Sequence, residues 1–476
     1  MNRRQFHSLM LGMAGASTLG FSRSGFGAQS ANYEPTWDSI DKHTTPEWFQ
    51  NAKFGIFIHW GLYSVPAWAP PTGELGKVDW NTWFTNNPYA EWYLNSLRIT
   101  GSPTYKHHIA TYGKDFDYYQ FSNAFNKGTA GWHPGEWASL FQKTGARYVV
   151  LTTKHHDGFR LWPSEVVNPH AARPKITAKR DIVGDLTAAV RASGMKMGLY
   201  YSGGLDWTFT SEPIRTRQDL MARVPQSAEY AKYADAHWRE LIDRYQPSVM
   251  WNDISYPKLG QIPQLFAHYY NTVPDGVINN RFGVKFEDYT TPEYAKFDKI
   301  MKKKWEECRG LGFSFGYNQV EGPEQVIAPD KLVALLVDIV SNNGNLLLNV
   351  GPRYNGTISE IQLDRLNKLG AWLAVNGEGI FDSQPWSRAS AKANGADVRF
   401  TQKENSLYIF FLQRPSGALT VPSVRTKNGS KIEILGAPGT HSLSQQGDNL
   451  RIEPHGRLPE SLAITAKITP VPDSLS

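Results

Sequence analysis

Short apolar runs alternate with longer amphipathic stretches along the first 375 residues. The apolar runs are rich in β-branched and aromatic residues, and they occupy 54–59, 146–153, 195–201, 248–253, 276–280 and 345–350. In 227–245, by contrast, apolar residues recur at helical spacing, and 181–193, 329–340 and 359–375 have the same character. Nearly continuous apolar strands separated by helices predict a parallel sheet that is covered by helices.

A closed arrangement accommodates so many strand and helix units economically. We therefore predict an α/β fold in which a TIM-like (β/α) barrel spans residues 34–384. A doubly wound open sheet is the alternative, but no Gly-x-Gly-x-x-Gly turn follows a strand. From about residue 385 the pattern changes to short alternating segments separated by Gly, Asn, Ser and Pro, which predicts a C-terminal β-sandwich over 385–476.

The first 28 residues have the layout of a cleaved export signal. Arg3 and Arg4 precede a weakly apolar run from Leu9 to Phe21, and small residues surround Ala28. Paired arginines indicate the twin-arginine route, so we expect an exported, periplasmic protein. A membrane anchor is the competing interpretation, but the run is short and rich in Gly, Ser and Ala, and we expect no stable membrane insertion.

Charge and cysteine content exclude several classes of protein. The formal charge of +6 falls to +3 without the three arginines of 1–28, which leaves 47 basic against 44 acidic residues. This balance excludes a nucleic-acid-binding surface as the main function. The single cysteine, Cys308, excludes an intramolecular disulfide and a thiolate metal cluster. The 16 tryptophans suit a site that stacks rings on a ligand, although a large core uses them equally well.

Polar side chains close or follow the predicted strands. In strand order they are His59, then His155 and His156, then Tyr200 and Tyr201, then Asp253, then Arg281. Because the carboxyl ends of barrel strands converge on one face, these side chains are expected to surround one pocket. A carboxylate at such a position, two residues after Trp251, is what a sugar-cleaving enzyme needs as a nucleophile.

Three histidines at strand ends also raise the alternative of a metal site. His155 and His156 are adjacent, so in an extended segment they point to opposite sides and serve one ion only if the chain twists. Neither His-x-His nor His-Glu-x-x-His spacing occurs at the strand ends. Neutral imidazoles that hydrogen-bond to sugar hydroxyls use these residues more naturally, and we expect no metal and no cofactor.

Several motifs together resemble the retaining α-L-fucosidases of glycoside hydrolase family 29, in particular exported bacterial members. They are KFGIFIHWG at 53–61, YAEWY at 89–93, TKHHDGF at 153–159, KWE at 304–306, SFGYN at 314–318 and GNLLLNVGP at 344–352. The resemblance covers about residues 34–465. It implies a catalytic barrel followed by a β-sandwich, no metal, and release of terminal L-fucose from an oligosaccharide or glycoconjugate with retained anomeric configuration.

The resemblance also implies roles for individual residues. Asp253 matches the nucleophile of the family, and Glu293 matches the general acid/base, with Glu306 as its rival. The positions that hold fucose are matched by His59, Glu91, Trp92, His155, His156, Tyr200, Trp251 and Arg281, and Phe315 matches a position near the methyl group of the sugar. A retaining double displacement predicts carboxyl groups about 5 to 5.5 Å apart.

Other functions stay open on the sequence alone. They are a binding module that has lost catalysis, a metal-dependent hydrolase, and a glycosidase of related specificity such as a β-D-galactosidase. The preferred linkage, the source of the glycan and assembly into a homo-oligomer are also left open.

Overall fold

The computed structural model describes residues 32–171, 176–415 and 417–475, so the predicted export signal at 1–28 lies outside the described residues. The α-helices are α1 Trp37–Ile40, α2 Glu47–Ala52, α3 Trp80–Thr85, α4 Tyr93–Leu97, α5 Pro103–Tyr112, α6 Phe121–Thr129, α7 Pro134–Thr144, α8 Ile182–Ala192, α9 Arg217–Ala222, α10 Ala228–Tyr245, α11 Ile262–Thr272, α12 Pro329–Ser341 and α13 Glu360–Asn376. Short 3-10 helices are Leu62–Ser64, Ala90–Trp92, Tyr118–Gln120, Asn280–Phe282 and Gly377–Gly379.

The strands fall into an N-terminal parallel set and a C-terminal antiparallel set. The first set is β1 Phe54–Ile58, β2 Tyr148–Lys154, β3 Lys196–Tyr201, β4 Val249–Asn252, β5 Val277–Ile278, β6 Trp305–Gly310 and β7 Gly344–Val350. The second set is β8 Gln384–Ala393, β9 Ala396–Lys403, β10 Ser406–Phe411, β11 Leu419–Val421, β12 Val424–Arg425, β13 Lys431–Ile434, β14 Ser442–Gln446, β15 Asn449–Glu453, β16 Ile464–Thr469 and β17 Asp473–Ser474.

The parallel strands form one curled sheet in the order β5-β4-β3-β2-β1-β7-β6. Strands β1 to β5 pair in chain order, β6 pairs with β7, and β7 pairs with β1, so β5 and β6 are the two edges. This is the order of a barrel that opens between β5 and β6, and the sheet is not doubly wound. Every residue of β1, β2, β4, β5 and β7 is buried, because the strands are covered on both faces. The predicted TIM-like fold is confirmed.

A short closing segment, residues 289–293, lies between the two edge strands of this sheet. Asn279, just after β5, pairs with Tyr289, and Thr290 pairs with Trp305 of β6, in each case through an isolated parallel bridge. The backbone N–H of Glu306 donates to the carbonyl of Thr290 at 2.8 Å. The closing segment therefore completes the ring between β5 and β6.

Two parts of this ring differ from the prediction for physical reasons. Strand β6 was not predicted because Glu306, Glu307 and Arg309 interrupt its apolar character, although five of its six residues are buried. The fifth strand is only Val277–Ile278, since the chain enters a 3-10 helix at Asn280 instead of continuing the strand.

The helices begin where short polar side chains cap their free N–H groups. The carboxylate of Asp181 accepts a hydrogen bond from Gly184 N–H at 2.9 Å and so starts α8. The hydroxyl of Ser227 accepts from Tyr230 N–H at 3.1 Å and starts α10 in the same way. Within the described part of the chain, each helix is too short or too polar to span a lipid bilayer.

The C-terminal strands form an antiparallel domain with its own core. Its sheets have the orders β13-β16-β10-β9-β8, β11-β15-β14 and β12-β17. The domain packs against the barrel through α12 and α13: Trp372 Nε1 donates to the carbonyl of Ala463 at 2.9 Å, and Arg399 Nε donates to Asp338 at 2.5 Å. These contacts place the second domain on the helical side of the barrel.

One layer of the barrel interior is polar. Glu306 of β6 is fully buried and accepts hydrogen bonds from the Tyr148 hydroxyl of β2 at 2.5 Å and from Trp251 Nε1 of β4 at 2.9 Å. Side chains from alternate strands thus meet in one layer, as barrel geometry requires. This layer supports the floor of the cavity described below.

Asp288, which precedes the closing segment, provides a test of how that segment is held. Its carboxylate is buried and accepts hydrogen bonds from Ile278 N–H at 2.7 Å and Tyr270 hydroxyl at 2.8 Å, and it pairs with His43 Nδ1 at 2.8 Å. We expect Asp288→Ala to reduce the free energy of unfolding by about 3 kcal/mol, because buried partners lose their acceptor. Urea unfolding measures this.

The matched control is Asp298→Ala, since Asp298 is exposed. This control is expected to change the free energy of unfolding by less than about 0.5 kcal/mol. Equal stabilities of the two variants would contradict the anchoring role of Asp288.

Candidate active site

A cavity of about 280 Å³ lies at the carboxyl ends of the barrel strands, at the small end of the range for ligand sites. With one exception, the site residues predicted from the sequence line it. The residues that line it are His59, Glu91, Trp92, His155, His156, Tyr200, Trp251, Asp253, Arg281, Glu293 and Phe315. The exception is Tyr201: successive side chains of a strand point to opposite faces, so its hydroxyl meets His237 Nδ1 of α10 at 2.9 Å instead. The convergence expected for parallel strand ends is therefore observed.

Asp253 directly follows β4 and is held as an ionised carboxylate. It accepts hydrogen bonds from the Tyr200 hydroxyl at 2.8 Å and from Arg281 Nη1 at 2.9 Å, and His156 Nε2 lies 3.9 Å away. Burial opposes ionisation, but the Arg281 charge and these other contacts outweigh it, so the pKa of Asp253 is lowered. At neutral pH this group is a carboxylate that faces the cavity.

The turn after Asp253 is strained. Ile254 has φ 51° and Ser255 has φ 71°, values in the left-handed region that β-branched residues rarely adopt. The turn is fixed by Gly204 N–H, which donates to the carbonyl of Asp253 at 3.0 Å, and by Ser255 N–H, which donates to the carbonyl of Arg281 at 2.9 Å. Stored strain of this kind is common where a side chain must be aimed accurately.

Glu293 is the second carboxyl group of the cavity and lies on the closing segment. Its oxygens accept hydrogen bonds from the Tyr89 hydroxyl at 3.2 Å and from Arg281 Nη2 at 3.1 Å. Burial raises the pKa of Glu293; Arg281 offsets part of this rise, and the negative charge of Asp253 adds to it. The two carboxyl groups of the cavity therefore have pKa values that are displaced in opposite directions.

Arg281 connects the two carboxyl groups. Its Nη1 contacts Asp253 and its Nη2 contacts Glu293, while Nε donates to Thr291 Oγ1 at 2.9 Å. The guanidinium also stacks on Trp251, 4.8 Å from the ring centroid. One planar cation therefore fixes both carboxylates and the closing segment in a single arrangement.

His59 is an uncharged hydrogen-bonding group. Its Nδ1 lies 2.7 Å from Asn349 Oδ1, and Asn349 Nδ2 donates to the carbonyl of Phe315 at 2.6 Å, which leaves Oδ1 as the acceptor. His59 Nδ1 therefore carries the proton, and Nε2 is an acceptor. Burial lowers the pKa of His59 to about 3.

His155 and His156 both line the cavity, although an extended chain would point them to opposite sides. The reason is that β2 ends at Lys154, immediately before them, and their ring centroids lie 3.9 Å apart. Burial lowers the pKa of His156 to about 4 and the pKa of His155 well below its usual value. His155 Nδ1 is buried without a hydrogen-bond partner among the described residues.

The remaining predicted residues shape the side of the cavity. Glu91 is buried and accepts a hydrogen bond from Gly316 N–H at 2.7 Å, and burial raises its pKa to about 7. Trp92 packs edge-on against His156, with ring centroids 5.5 Å apart. Phe315 packs against His59 with its centroid 5.0 Å away. Apolar and hydrogen-bonding surface thus alternate around one small space.

Glu306, the rival acid/base, lies below the cavity and does not line it. Both of its oxygens accept hydrogen bonds from Tyr148 and Trp251 in the barrel interior. Burial raises the pKa of Glu306 to about 7, but no cavity surface is available to it. Its geometry suits the positioning of Trp251, on which Arg281 stacks.

Several cavity residues were not predicted. Trp80, Trp83 and Phe84 come from α3, and Arg217 and Leu220 come from α9. Both helices lie in long connections outside the barrel strands, so strand-end reasoning cannot find them. The dense aromatic sequence of 80–84 is a weak indication, but aromatic residues of this kind also occur in cores.

The geometry suits bond cleavage that needs one ionised and one protonated carboxyl group side by side. The neutral imidazoles and the buried carboxyl group of Glu91 can form hydrogen bonds with the hydroxyl groups of a ligand in the cavity. Across 32–171, 176–415 and 417–475, no three His, Cys, Asp or Glu side chains are grouped as metal ligands.

Comparisons with known proteins agree with this geometry. A model of the alpha-L-fucosidase family matches residues 21–378. The tissue alpha-L-fucosidase of Homo sapiens is 33% identical over 466 residues, which cover 92% of this chain and 92% of that protein. The crystal structure of Thermotoga maritima alpha-fucosidase in complex with fucose is 44% identical, covers 92% of this chain and 100% of that one, and has a TM-score of 0.83. The structure of the same Thermotoga maritima enzyme in complex with a mechanism-based inhibitor has a TM-score of 0.84, with 44% identity and the same coverage.

The charge state of His59 can be tested directly. Because burial lowers its pKa to about 3, His59 is expected to remain the neutral Nδ1–H tautomer at about pH 5 and above. Two-bond ¹H–¹⁵N correlation spectra of protein labelled at histidine report the tautomer, and His59→Gln assigns the signals. A titration midpoint above about pH 6 would contradict the assignment.

Proposed function

The chain belongs to the alpha-L-fucosidase family, and from that membership we propose that Asp253 and Glu293 carry out its reaction. The chain is an exo-acting, retaining α-L-fucosidase that hydrolyses terminal α-L-fucosyl linkages of oligosaccharides or glycoconjugates. The observation that carries the residue assignment is that one guanidinium, Arg281, contacts both carboxyl groups of the cavity. The reaction is a double displacement.

In the first step, Asp253 attacks the anomeric carbon of the fucosyl unit. The bond to the leaving oxygen breaks as Glu293 donates its proton to that oxygen, and a covalent fucosyl-enzyme forms. The lowered pKa of Asp253 favours the ionised nucleophile, and the raised pKa of Glu293 favours the protonated acid. The reaction therefore slows below the pKa of Asp253 and above the pKa of Glu293.

In the second step, water attacks the anomeric carbon and releases Asp253. Glu293, now deprotonated, accepts the proton of the water, and fucose leaves with its original anomeric configuration. The negative charge on Asp253 is absent while the ester exists, so the contribution of this charge to the raised pKa of Glu293 is also absent. Glu293 is thus a stronger acid at this stage, and Arg281 stabilises the carboxylate that remains.

Recognition of fucose uses the neutral character of the cavity. His59 offers an acceptor at Nε2 for a sugar hydroxyl, and the neutral ring of His155 lines the cavity beside it. L-Fucose carries a methyl group at carbon 6, and we assign the ring of Phe315 to it. The similarity of this chain to the Thermotoga maritima alpha-fucosidase in complex with fucose supports this assignment of the cavity.

We also propose that the chain is exported to the periplasm through the twin-arginine route. The support is Arg3-Arg4, the weakly apolar run Leu9 to Phe21 and the small residues near Ala28. Replacement of both arginines by lysine is expected to retain activity in the cytoplasmic fraction. Activity in the periplasmic fraction of cells that make the variant would contradict the proposal.

The nucleophile is tested with Asp253→Gly. Hydrolysis of an aryl α-L-fucoside is expected to fall by about three orders of magnitude or more, because the bond-forming group is lost. Azide fits the space that is freed, and it attacks from the same face. Added azide should restore turnover and yield β-L-fucosyl azide, which mass spectrometry and NMR identify. No β-fucosyl azide from a folded variant would contradict Asp253 as nucleophile.

The acid/base is tested by comparing Glu293→Gln with Glu306→Gln. Glu293→Gln should slow cleavage of substrates with poor leaving groups by about 10² to 10⁴, while an activated dinitrophenyl fucoside reacts nearly as before. It should also remove the alkaline limb of the pH profile. Glu306→Gln keeps an oxygen that accepts a hydrogen bond from Trp251. This variant is expected to keep the rate on poor leaving groups and the alkaline limb of the pH profile. Leaving-group dependence that appears only in Glu306→Gln would reverse the assignment.

A further inference from the structure

A second depression, which we call the aglycone groove, continues from the fucose cavity. It has a volume of about 860 Å³, and it shares Leu75, Trp80 and Glu293 with the cavity. Tyr294, Lys296 and Arg309 line it beyond Glu293. The groove is therefore much larger than the cavity, and Glu293 stands at the junction of the two.

The position of Glu293 indicates that the groove holds the leaving group of the substrate. This inference rests on the function proposed above. The acid donates its proton to the leaving oxygen, so the leaving group must lie on the side of Glu293 that faces away from the fucose ring. The groove meets the cavity at Glu293 and extends from it past Tyr294, Lys296 and Arg309, so we assign it to that side. Its volume of about 860 Å³, against about 280 Å³ for the cavity, leaves room for a neighbouring sugar.

Three cations without an ion-pair partner among the described residues line the groove or the adjoining part of the cavity. Lys77 and Lys296 line the groove and are exposed. Arg217 lines the adjoining part of the fucose cavity and lies 5.2 Å from the ring centroid of Trp80, again without a carboxylate partner among the described residues. Trp80 itself is 38% exposed.

The carboxyl groups that line the groove do not balance these cations. Glu74 is paired with Arg309 at 3.8 Å. Glu307 is buried, accepts a hydrogen bond from Ala295 N–H at 3.2 Å, and burial raises its pKa to about 8, so it is mainly protonated at neutral pH. Glu324 is the exposed carboxylate that remains against Lys77, Lys296 and Arg217. The groove and the adjoining part of the cavity therefore carry an excess of positive charge.

We infer that the aglycone groove selects fucosides whose neighbouring sugar carries an anionic group, a carboxylate or a sulfate, held by Lys77, Lys296 and Arg217 beside Trp80. The apolar surface of Trp80 contacts the sugar ring, and the cations contact its charged substituent. These cations are exposed, so the preference is expected to decrease as ionic strength rises.

Matched pairs of synthetic substrates test this inference. One pair is 3-carboxyphenyl and 3-carbamoylphenyl α-L-fucoside, and the other is 3-sulfophenyl and 3-sulfamoylphenyl α-L-fucoside. The measured quantity is the ratio of kcat/KM for the anionic member to that for the neutral member. Comparing the same pair between variants cancels the intrinsic reactivity of each leaving group.

The double variant Lys77→Gln/Lys296→Gln is expected to lower this ratio about fivefold at low salt, the product of two exposed charge contacts. Lys296→Glu should lower it further, and about 0.5 M NaCl should lower the ratio of the parent towards that of the double variant. Lys431→Gln, an exposed lysine of the C-terminal domain, is the control that leaves the ratio unchanged. Thermal unfolding confirms that each variant is folded.

The outcomes distinguish a carboxylate from a sulfate as the bound anion. They also distinguish failure of this inference from failure of the proposed function. A decrease in the carboxylate pair alone assigns the groove to a uronic acid, and a decrease in the sulfonate pair alone assigns it to a sulfated sugar. An unchanged ratio in both pairs overturns the inference, although the fucosidase assignment stands. Absence of hydrolysis of every aryl fucoside by the folded parent would overturn the proposed function instead.

Discussion

The shared contact of Arg281 with Asp253 and Glu293 is the constraint on which the rest of the site depends. The guanidinium follows β5, reaches across to the closing segment through Thr291, and rests on Trp251, which is in turn held by Glu306 inside the barrel. A planar cation with fixed donor directions sets the relative orientation of both carboxyl groups. The strand order of the barrel matters to the proposed reaction because it brings these six side chains together.

Burial determines the charge of the histidines and of Glu91 around this cation. Burial leaves His59 and His156 uncharged at neutral pH and raises the pKa of Glu91 to about 7. The main charges that face the cavity are therefore Asp253 and Arg281. Charge concentrated at the proposed reaction centre, in surroundings that are otherwise neutral, strengthens the interactions that change during the proposed reaction.

The sequence predicted the barrel and its strand ends because strands buried on both faces leave continuous apolar runs. Asp253 was found in this way from the end of the run at 248–253. Strand β6 and the closing segment were missed, since their polar residues point into a hydrogen-bonded interior that periodicity does not describe. Glu293 was assigned only through family resemblance, and Trp80 and Arg217 reach the cavity from connecting helices whose positions depend on tertiary packing.

The closing segment is held in the ring by isolated bridges, whereas Asp253 follows a regular strand. Changes within 289–293 therefore break few strand pairs, but they also affect Thr291, which holds Arg281. His59, His155 and Tyr200 belong to other strands or strand ends and do not depend on this segment. Glu293, the proposed proton donor, is therefore held by a less regular part of the ring than Asp253, the proposed nucleophile. A segment exchanged at this seam of the barrel could carry the acid on a different backbone, provided that it keeps an acceptor for Arg281 Nε in place of Thr291.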